Sequence, residues 1–389
     1  MVPGYPVCHS IPVWLGQTLT WLYTQVASLQ AIGIETHVVC ERTENLDQFS
    51  VPNLHCLANS GMGRYWDLAM RRLRVRRHLS FLVRTALKHN AKLLHSHFGH
   101  FGWANFRAAG ILGIPHVVTF YGLDVNQLPL MNPIWRKRYG ELFRSASAIL
   151  CEGPHMASCI EALGCQSDKI HVHRLGVRLA EFPFIPRHWD KGSPLRVLIA
   201  ASFREKKGIP YAIAALGLAA RDIPIEITVI GDAGTDTASQ IEKRLILEAV
   251  AKSGLRSRIR FLGFRPHAKL IQEAYLHHVF LSPSVTAENG DTEGGAPVSI
   301  IEMMATGMPV VATRHCDIPD VIGPDWTHLI ADERNVEGLA HCIRTLAAAS
   351  SSWPTLLSVG RARIERRHDA LTQALALSNL YRALLENRV

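Results

Sequence analysis

The sequence predicts an α/β protein of two doubly wound domains, each a parallel sheet covered by helices on both faces. Three observations carry this reading. The chain has 389 residues, 48% hydrophobic and 19% charged, which is enough for two cores and too apolar for a disordered chain. Short β-rich runs, apolar on both faces, alternate with helical patterns along most of its length, as strands buried on both sides do. Near the middle, FIPRHWDKGSP (Phe184 to Pro194) gathers turn formers and polar residues and reads as a linker.

The elements follow in order. In the first half, strands are expected at Glu35–Cys40, Lys92–His95, His116–Phe120, Ser147–Cys151 and Ile170–Arg174. Helical patterns lie between them near Gln17–Gln30, Met70–Lys88, Trp103–Leu112, Pro133–Phe143 and Met156–Leu163. The second half repeats the style with strands at Arg196–Ala200, Glu226–Ile230, Ile259–Leu262, Val279–Ser282 and Pro309–Ala312. This gives a first domain over 1–183, a linker over 184–194 and a second domain over 195–368, facing each other across a cleft. A last helical pattern, 369–389, either caps the second domain or crosses back to the first.

Other features bound the function. No apolar run approaches the ~18 residues of a spanning helix, and the residues after Met1, VPGYPVCHSIP, have neither a basic start nor an apolar stretch, so no secretory signal is read. The eight cysteines form no C-x-x-C pair and read as reduced core residues of a cytoplasmic protein. Lys and Arg number 42 against 33 Asp and Glu, a net +9. The excess is uneven: residues 1–190 hold 19 basic against 12 acidic residues, and 191–389 hold 23 against 21. Much of it lies between Arg64 and Asn90. On one helix, Leu68, Leu73, Leu79, Leu82 and Leu87 would share a buried side while Arg71, Arg74, Arg77 and Arg84 project together. Arg64–Lys88 is then either a solvated face or a patch that sits on anionic headgroups, with Tyr65, Trp66 and Phe81 adding aromatic area. Nucleic acid ranks third, since no recognition module accompanies the charge.

The chemistry concentrates between Ser282 and Ile322. A strand ends near Pro283, a loop carrying Glu288, Asp291 and Glu293 follows, and Gly294 and Gly295 lead into a helix beginning near Pro297. A helix start outside the carboxyl end of a parallel strand is a natural anion site. Glu302, a turn and a half further on, is placed to reach a ribose diol, and Glu293 a sugar hydroxyl.

EGGAPVSIIEMMATGMPVVAT resembles the signature of retaining glycosyltransferases of family four, the GT-B enzymes that use nucleotide-diphosphate sugars. HSHFGHFG (His95 to Gly102), IPHVVTFYGLDV, ASFREKKGIPYAIAAL and VIGDAG resemble further landmarks of that family in the same order. Within the family, the chain is similar to exopolysaccharide enzymes of the colanic acid and amylovoran type. The resemblance implies two Rossmann-like domains, acceptor first and donor second. It implies a nucleotide-diphosphate sugar as donor, no cofactor, no catalytic metal and a saccharide acceptor on a membrane lipid pyrophosphate. The protein would then sit on the inner face of the cell membrane, with its basic first domain toward that anionic surface and no nucleic acid as partner.

Roles carry over by position. Lys207 matches the lysine that neutralises the donor diphosphate, Glu302 the glutamate on the ribose, and Glu293 the one near the transferred sugar. Gly294, Gly295, Ala296, Pro297 and Val298 would hold sugar and phosphates, Gly263 and Phe264 would contact the base, and Gly16 would approach the diphosphate. His97 and Asp124 are expected at strand ends facing the cleft, as catalytic groups beside Lys207 and Glu293. Three positions depart from the pattern. Eight residues separate Glu293 from Glu302 where the family has seven, so that counting back lands on Gly294. Ser202 stands where the family has a phosphate-binding arginine, with Arg204 as a substitute two residues on. Tyr121 stands where many members have histidine. The alternatives are an epimerase or phosphorylase on the same frame, and a non-catalytic sugar-nucleotide-binding subunit.

Overall fold

A computed structural model describes residues 5–16 and 19–386. The chain divides into two units, Met1–Arg178 with Asp369–Val389, and Leu179–His368.

In the first unit, β1 (Val7–Ser10), β3 (Thr36–Cys40), β5 (Leu54–Cys56), β6 (Leu93–His97), β7 (His116–Thr119), β8 (Ala148–Cys151) and β9 (Ile170–Val172) form one sheet. Its order is β5-β3-β1-β6-β7-β8-β9, and every pairing is parallel. A two-stranded ribbon pairs β2 (Val13–Trp14) with β4 (Arg42–Thr43). The strands are mostly buried on both faces, as the unbroken apolar runs require. β1 lies beside both β3 and β6, so the strand order reverses there, and the loops leaving the carboxyl ends of β1 and β6 flank a switch point. This strand was not expected. VCHS is four residues long and half polar, too brief to show a strand period, and becomes a strand only between two partners.

The expected helix Met70–Lys88 is two helices, Gly63–Arg72 and Ser80–Lys88. Arg74 takes a positive φ of 58° between them, and the buried Asp67 carboxylate accepts the backbone N–H groups of Ser80 and Phe81, capping the second helix. The shared leucine side is lost with the single helix. Leu82 is buried, while Leu68, Leu73 and Leu87 are exposed.

In the second unit, β10 (Leu195–Ala200), β11 (Ile225–Ile230), β12 (Ile259–Gly263), β13 (Val279–Ser282), β14 (Val310–Thr313) and β15 (Ile330–Ala331) form a parallel sheet. Its order is β12-β11-β10-β13-β14-β15. The switch point falls between β10 and β13, so the loops that follow these two strands meet beyond their carboxyl ends. The expected linker, 184–194, lies inside this unit: Arg187 is buried and donates to the carbonyls of Ala274, His277 and Thr306. The last helix, Ala370–Glu386, belongs to the first unit, where Ala374, Leu377 and Tyr381 share a core with Leu29, Leu93 and Val117.

Candidate active site

In the second unit the loop after β10 carries Ser202 and Arg204, then a 3-10 turn, Glu205–Lys207. Gly208 follows with φ +60°, and a Cβ there would lie 1.9 Å from the Pro283 carbonyl oxygen. Only glycine lets the loop after β10 rest on the loop after β13. That contact lets two lysines reach across. Lys206 Nζ lies 3.0 Å from Asp291 Oδ1 and 2.8 Å from the Thr292 carbonyl, and Lys207 Nζ lies 2.7 Å from Glu293 Oε2.

Glu293 is held on every side. Ser284 Oγ donates to its other oxygen at 2.8 Å, and its backbone N–H donates to His315 Nε2 at 3.1 Å. His315 Nδ1 lies 2.6 Å from Glu333 Oε1, so the hydrogen-bond network assigns the imidazole proton to Nδ1. Burial alone would push the Glu293 carboxyl up. Lys207 and Lys206 outweigh it and hold the carboxyl at about 2. The pair thus favours Glu293 as an anion that accepts hydrogen bonds.

The chain turns at Gly294, φ +81°, where the extra residue falls. The Gly294 N–H donates to Thr292 Oγ1, and the Gly295 carbonyl accepts from the Asp317 N–H. Ala296 is buried, and Pro297 occupies the cap of the helix Val298–Ala305. Glu302 on this helix is buried, with Oε1 2.8 Å from His267 Nε2. Ser202 is half-buried and Arg204 is exposed, on the same loop as Lys207. Gly263 ends β12, two strands from β10, and the Phe264 ring is half exposed. The structure thus joins Lys207 directly to Glu293 and gives Glu302 a histidine partner. Ser284, His267, His315 and Lys206 were missed by sequence reasoning. Lys206 alone left a signal, in its place beside Lys207.

The first-unit residues behave differently. His97 ends β6 but is fully buried, its Nε2 3.1 Å from His9 Nδ1 and its Nδ1 2.9 Å from the Tyr121 hydroxyl. Tyr121, at the position where many members of the family have histidine, therefore meets the His97 ring. His95 Nδ1 meets the Tyr381 hydroxyl at 2.6 Å and its Nε2 meets Thr119 Oγ1 at 2.7 Å. Burial depresses all three imidazoles and keeps them neutral. Asp124 is not at a strand end. It lies in a π-helical turn, Leu123–Gln127, fully buried, and accepts the N–H groups of Tyr121, at 2.7 Å, and of Gly99. Burial outweighs these bonds and pushes its carboxyl up to about 7. Its place is that of a positioning residue, tying the start of the helix Gly99–Leu112 to the loop after β7. Gly16 is half-buried, and its carbonyl accepts from the Leu19 N–H.

Among the described residues, two imidazole trios bring nitrogens within 4.8 Å of one another: His9, His95 and His97, and His37, His55 and His89. In the first, the nitrogens of His95 and His97 already meet Tyr381, Thr119, Tyr121 and His9.

Residues 20–181 match the model of Glycosyltransferase Family 4, and residues 194–349 match that of Glycosyl transferases group 1. The amylovoran biosynthesis glycosyltransferase AmsK of Erwinia amylovora is 30% identical over 68% of this chain and 64% of its own. The putative colanic acid biosynthesis glycosyltransferase WcaL of Escherichia coli K12 is 30% identical over 74% of this chain and 70% of its own. The chain thus spans about two thirds of the length of these relatives. The solved structure of HepE from Anabaena, in complex with UDP and glucose, superposes with a TM-score of 0.76 at 18% identity, covering 96% of this chain and 98% of that one.

Proposed function

Since the chain belongs to glycosyltransferase family 4 and its two units have the GT-B fold, we propose that it is a retaining, metal-independent glycosyltransferase. It moves a sugar from a nucleotide-diphosphate sugar to a lipid-linked saccharide in exopolysaccharide synthesis, the process named for its relatives AmsK and WcaL. The observation that carries this is the Lys207–Glu293 pair beside the glycine-led helix start at the second unit's switch point.

In this reading the bond from the anomeric carbon to the diphosphate oxygen breaks, and the acceptor hydroxyl oxygen bonds to the same face. The hydroxyl proton passes to the departing diphosphate. Negative charge grows on that diphosphate, and the Lys207 ammonium and the backbone of Gly295 to Val298 stabilise it. Glu293, as an anion, holds Lys207 and accepts from a sugar hydroxyl. Glu302 takes the ribose diol, a contact that displaces His267 from its carboxylate.

For the acceptor, the helix Gly63–Arg72, the residue before it and the loop after it expose Met62, Tyr65, Trp66, Leu73 and Val75. Aromatic and apolar side chains among arginines suit the headgroup boundary of an anionic membrane, which supports peripheral attachment at its cytoplasmic face. The contact differs from the expected stripe of arginines. Arg71 is paired with Glu41, and Arg77 lies over the Trp103 ring, so the apolar residues make the approach.

A thermal-shift screen against UDP-, GDP-, ADP- and dTDP-sugars tests the donor claim, UDP first because HepE is described with it. A ligand at 100 times its Kd stabilises the folded state by about 2.7 kcal/mol. One donor class raises Tm, and Glu302→Gln removes the rise. A flat response to all four would contradict the proposal.

A further inference from the structure

At the edge of the first unit's sheet three imidazoles converge: His37 of β3, His55 of β5, and His89 at the end of the helix Ser80–Lys88. β5 is the edge strand and only three residues long, so few ladder bonds hold it. Val39 pairs with His55, and His37 lies two residues before Val39, so the pleat turns both rings to one face. The helix packs on that face, where its Leu82 and Ala86 share a core with Val39. His89 caps the helix, its ring centroid 4.1 Å from that of His37 and 4.8 Å from that of His55.

Hydrogen-bond directions fix where a lone pair points. His37 Nε2 lies 2.8 Å from Glu35 Oε1, and a carboxylate only accepts, so Nε2 carries the proton of the neutral ring and Nδ1 is bare. Nδ1 faces His55 Nε2 at 3.2 Å. Two imidazole nitrogens on one tetrahedral zinc, each about 2.0–2.1 Å from the metal, stand about 3.3 Å apart, so this pair already has the spacing of two ligands. One nitrogen from each of the three rings lies within 4.8 Å of the others, and small rotations of the half-buried His55 and His89 rings bring all three to that spacing. Glu35 supplies the outer carboxylate that orients a metal-binding imidazole. Lys88 sets a positive charge near His55 and His89, which Glu35 offsets at His89, and the carboxyl end of the helix adds negative potential toward a cation. The other trio, His9, His95 and His97, is fully buried, which shuts out a hydrated ion, whereas His55 and His89 are reached from solvent.

We propose that His37, His55 and His89 form a binding site for a zinc-class divalent ion, with water in the fourth position, that clamps the edge strand β5 to β3 and to the end of the helix Ser80–Lys88. Three imidazoles suit zinc, copper or nickel over magnesium and calcium, which take oxygen ligands. His37 is the second residue of β3, toward the amino end of the sheet, and all three ligands belong to the first unit. The ion therefore acts on the fold and leaves glycosyl transfer to the second unit's Lys207–Glu293 pair.

Cobalt(II) titration of the full chain, made without a polyhistidine tag and stripped with chelator, tests the site. One equivalent raises the visible absorption bands of four-coordinate cobalt, and zinc bleaches them by displacement. His55→Gln with His89→Gln weakens cobalt binding at least tenfold, and Glu35→Gln weakens it about 10- to 100-fold with the bands unshifted. If the double variant loses thermal stability without metal, His89→Asn alone replaces it and gives the same loss. Zinc at about 100 times its Kd raises Tm by several degrees in the natural chain and not in the trio variants, and the initial rate of transfer is the same with and without it. Unchanged cobalt affinity in the trio variants would overturn the site. So would loss of the bands in Cys159→Ser instead, whose thiol lies 3.6 Å from His155 Nε2 and offers a rival pair of ligands. A zinc-bound chain with an unmoved Tm, or a transfer rate that needs zinc, would overturn the clamp.

Discussion

At the residue scale, Glu293 and Lys207 define each other. A buried carboxylate held at about 2 depends on the ammonium 2.7 Å away, and that ammonium is fixed by the carboxylate. Lys207→Ala removes the cation opposite the leaving group and leaves Glu293 with Lys206 as the remaining lysine in its field. The expected result is a fall in kcat/KM of about 10²- to 10³-fold, the loss typical when one donor to a developing anion is removed. Steady-state kinetics at saturating acceptor check it. Lys207, Glu293 and Glu302 were legible in the sequence because they stand inside motifs with glycines and a helix start. Ser284, His267 and His315 were not, since each arrives from another loop or helix and nothing in its local sequence marks it. Asp124 was legible as a position: TFYGLD shows a carboxylate after a strand, and the fold adds that the backbone N–H groups of Gly99 and Tyr121 donate to its two oxygens.

At the element scale, the last helix, Ala370–Glu386, closes the first unit's core, and its Tyr381 hydroxyl meets His95 Nδ1 at 2.6 Å. Tyr381→Phe keeps the ring and leaves that nitrogen without its partner. The expected loss is about 1–3 kcal/mol, read as a lower urea midpoint with an unchanged slope. The segment Gly63–Lys88 makes a second test. Its exposed Trp66 and Leu73 are the contacts proposed for the membrane, so Trp66→Ser with Leu73→Ser lowers co-sedimentation with anionic vesicles several-fold, and equal pelleting would contradict the contact. Six-residue, mostly apolar strands such as β10 and β11 were legible from their runs. β1 and the break between the two short helices were not, because neighbours on both sides make one and a capping carboxylate and a left-handed Arg74 make the other.

For the whole molecule, the first unit holds His9, His95, His97 and His116 buried and His173 half-buried as neutral imidazoles. His9 and His116 are depressed to about 3, His173 to about 4, and the other two well below the usual value, all chiefly by burial. The unfolded chain takes up protons on these residues as pH falls below about 6.5 and the folded chain does not, so each erodes stability by up to about 1.4 kcal/mol per pH unit between there and its folded pKa. Asp124 and Glu242, each raised to about 7 by burial, oppose this as two groups, because the folded chain holds their protons where the unfolded chain has lost them. The urea midpoint is therefore lower at pH 5.5 than at pH 7.5, and a flat or rising profile would contradict the neutral stack. Two α/β units were legible because alternation repeats along the whole chain. The unit boundary and the return of the last helix depend on tertiary packing that no local pattern carries. The central claim, retaining transfer at the Lys207–Glu293 site, is tested most directly by NMR of the product formed from an anomerically defined, carbon-13-labelled nucleotide sugar. The account predicts a new glycosidic linkage with the donor's anomeric configuration, absent in Lys207→Ala; an inverted linkage, or undiminished transfer by that variant, would contradict it.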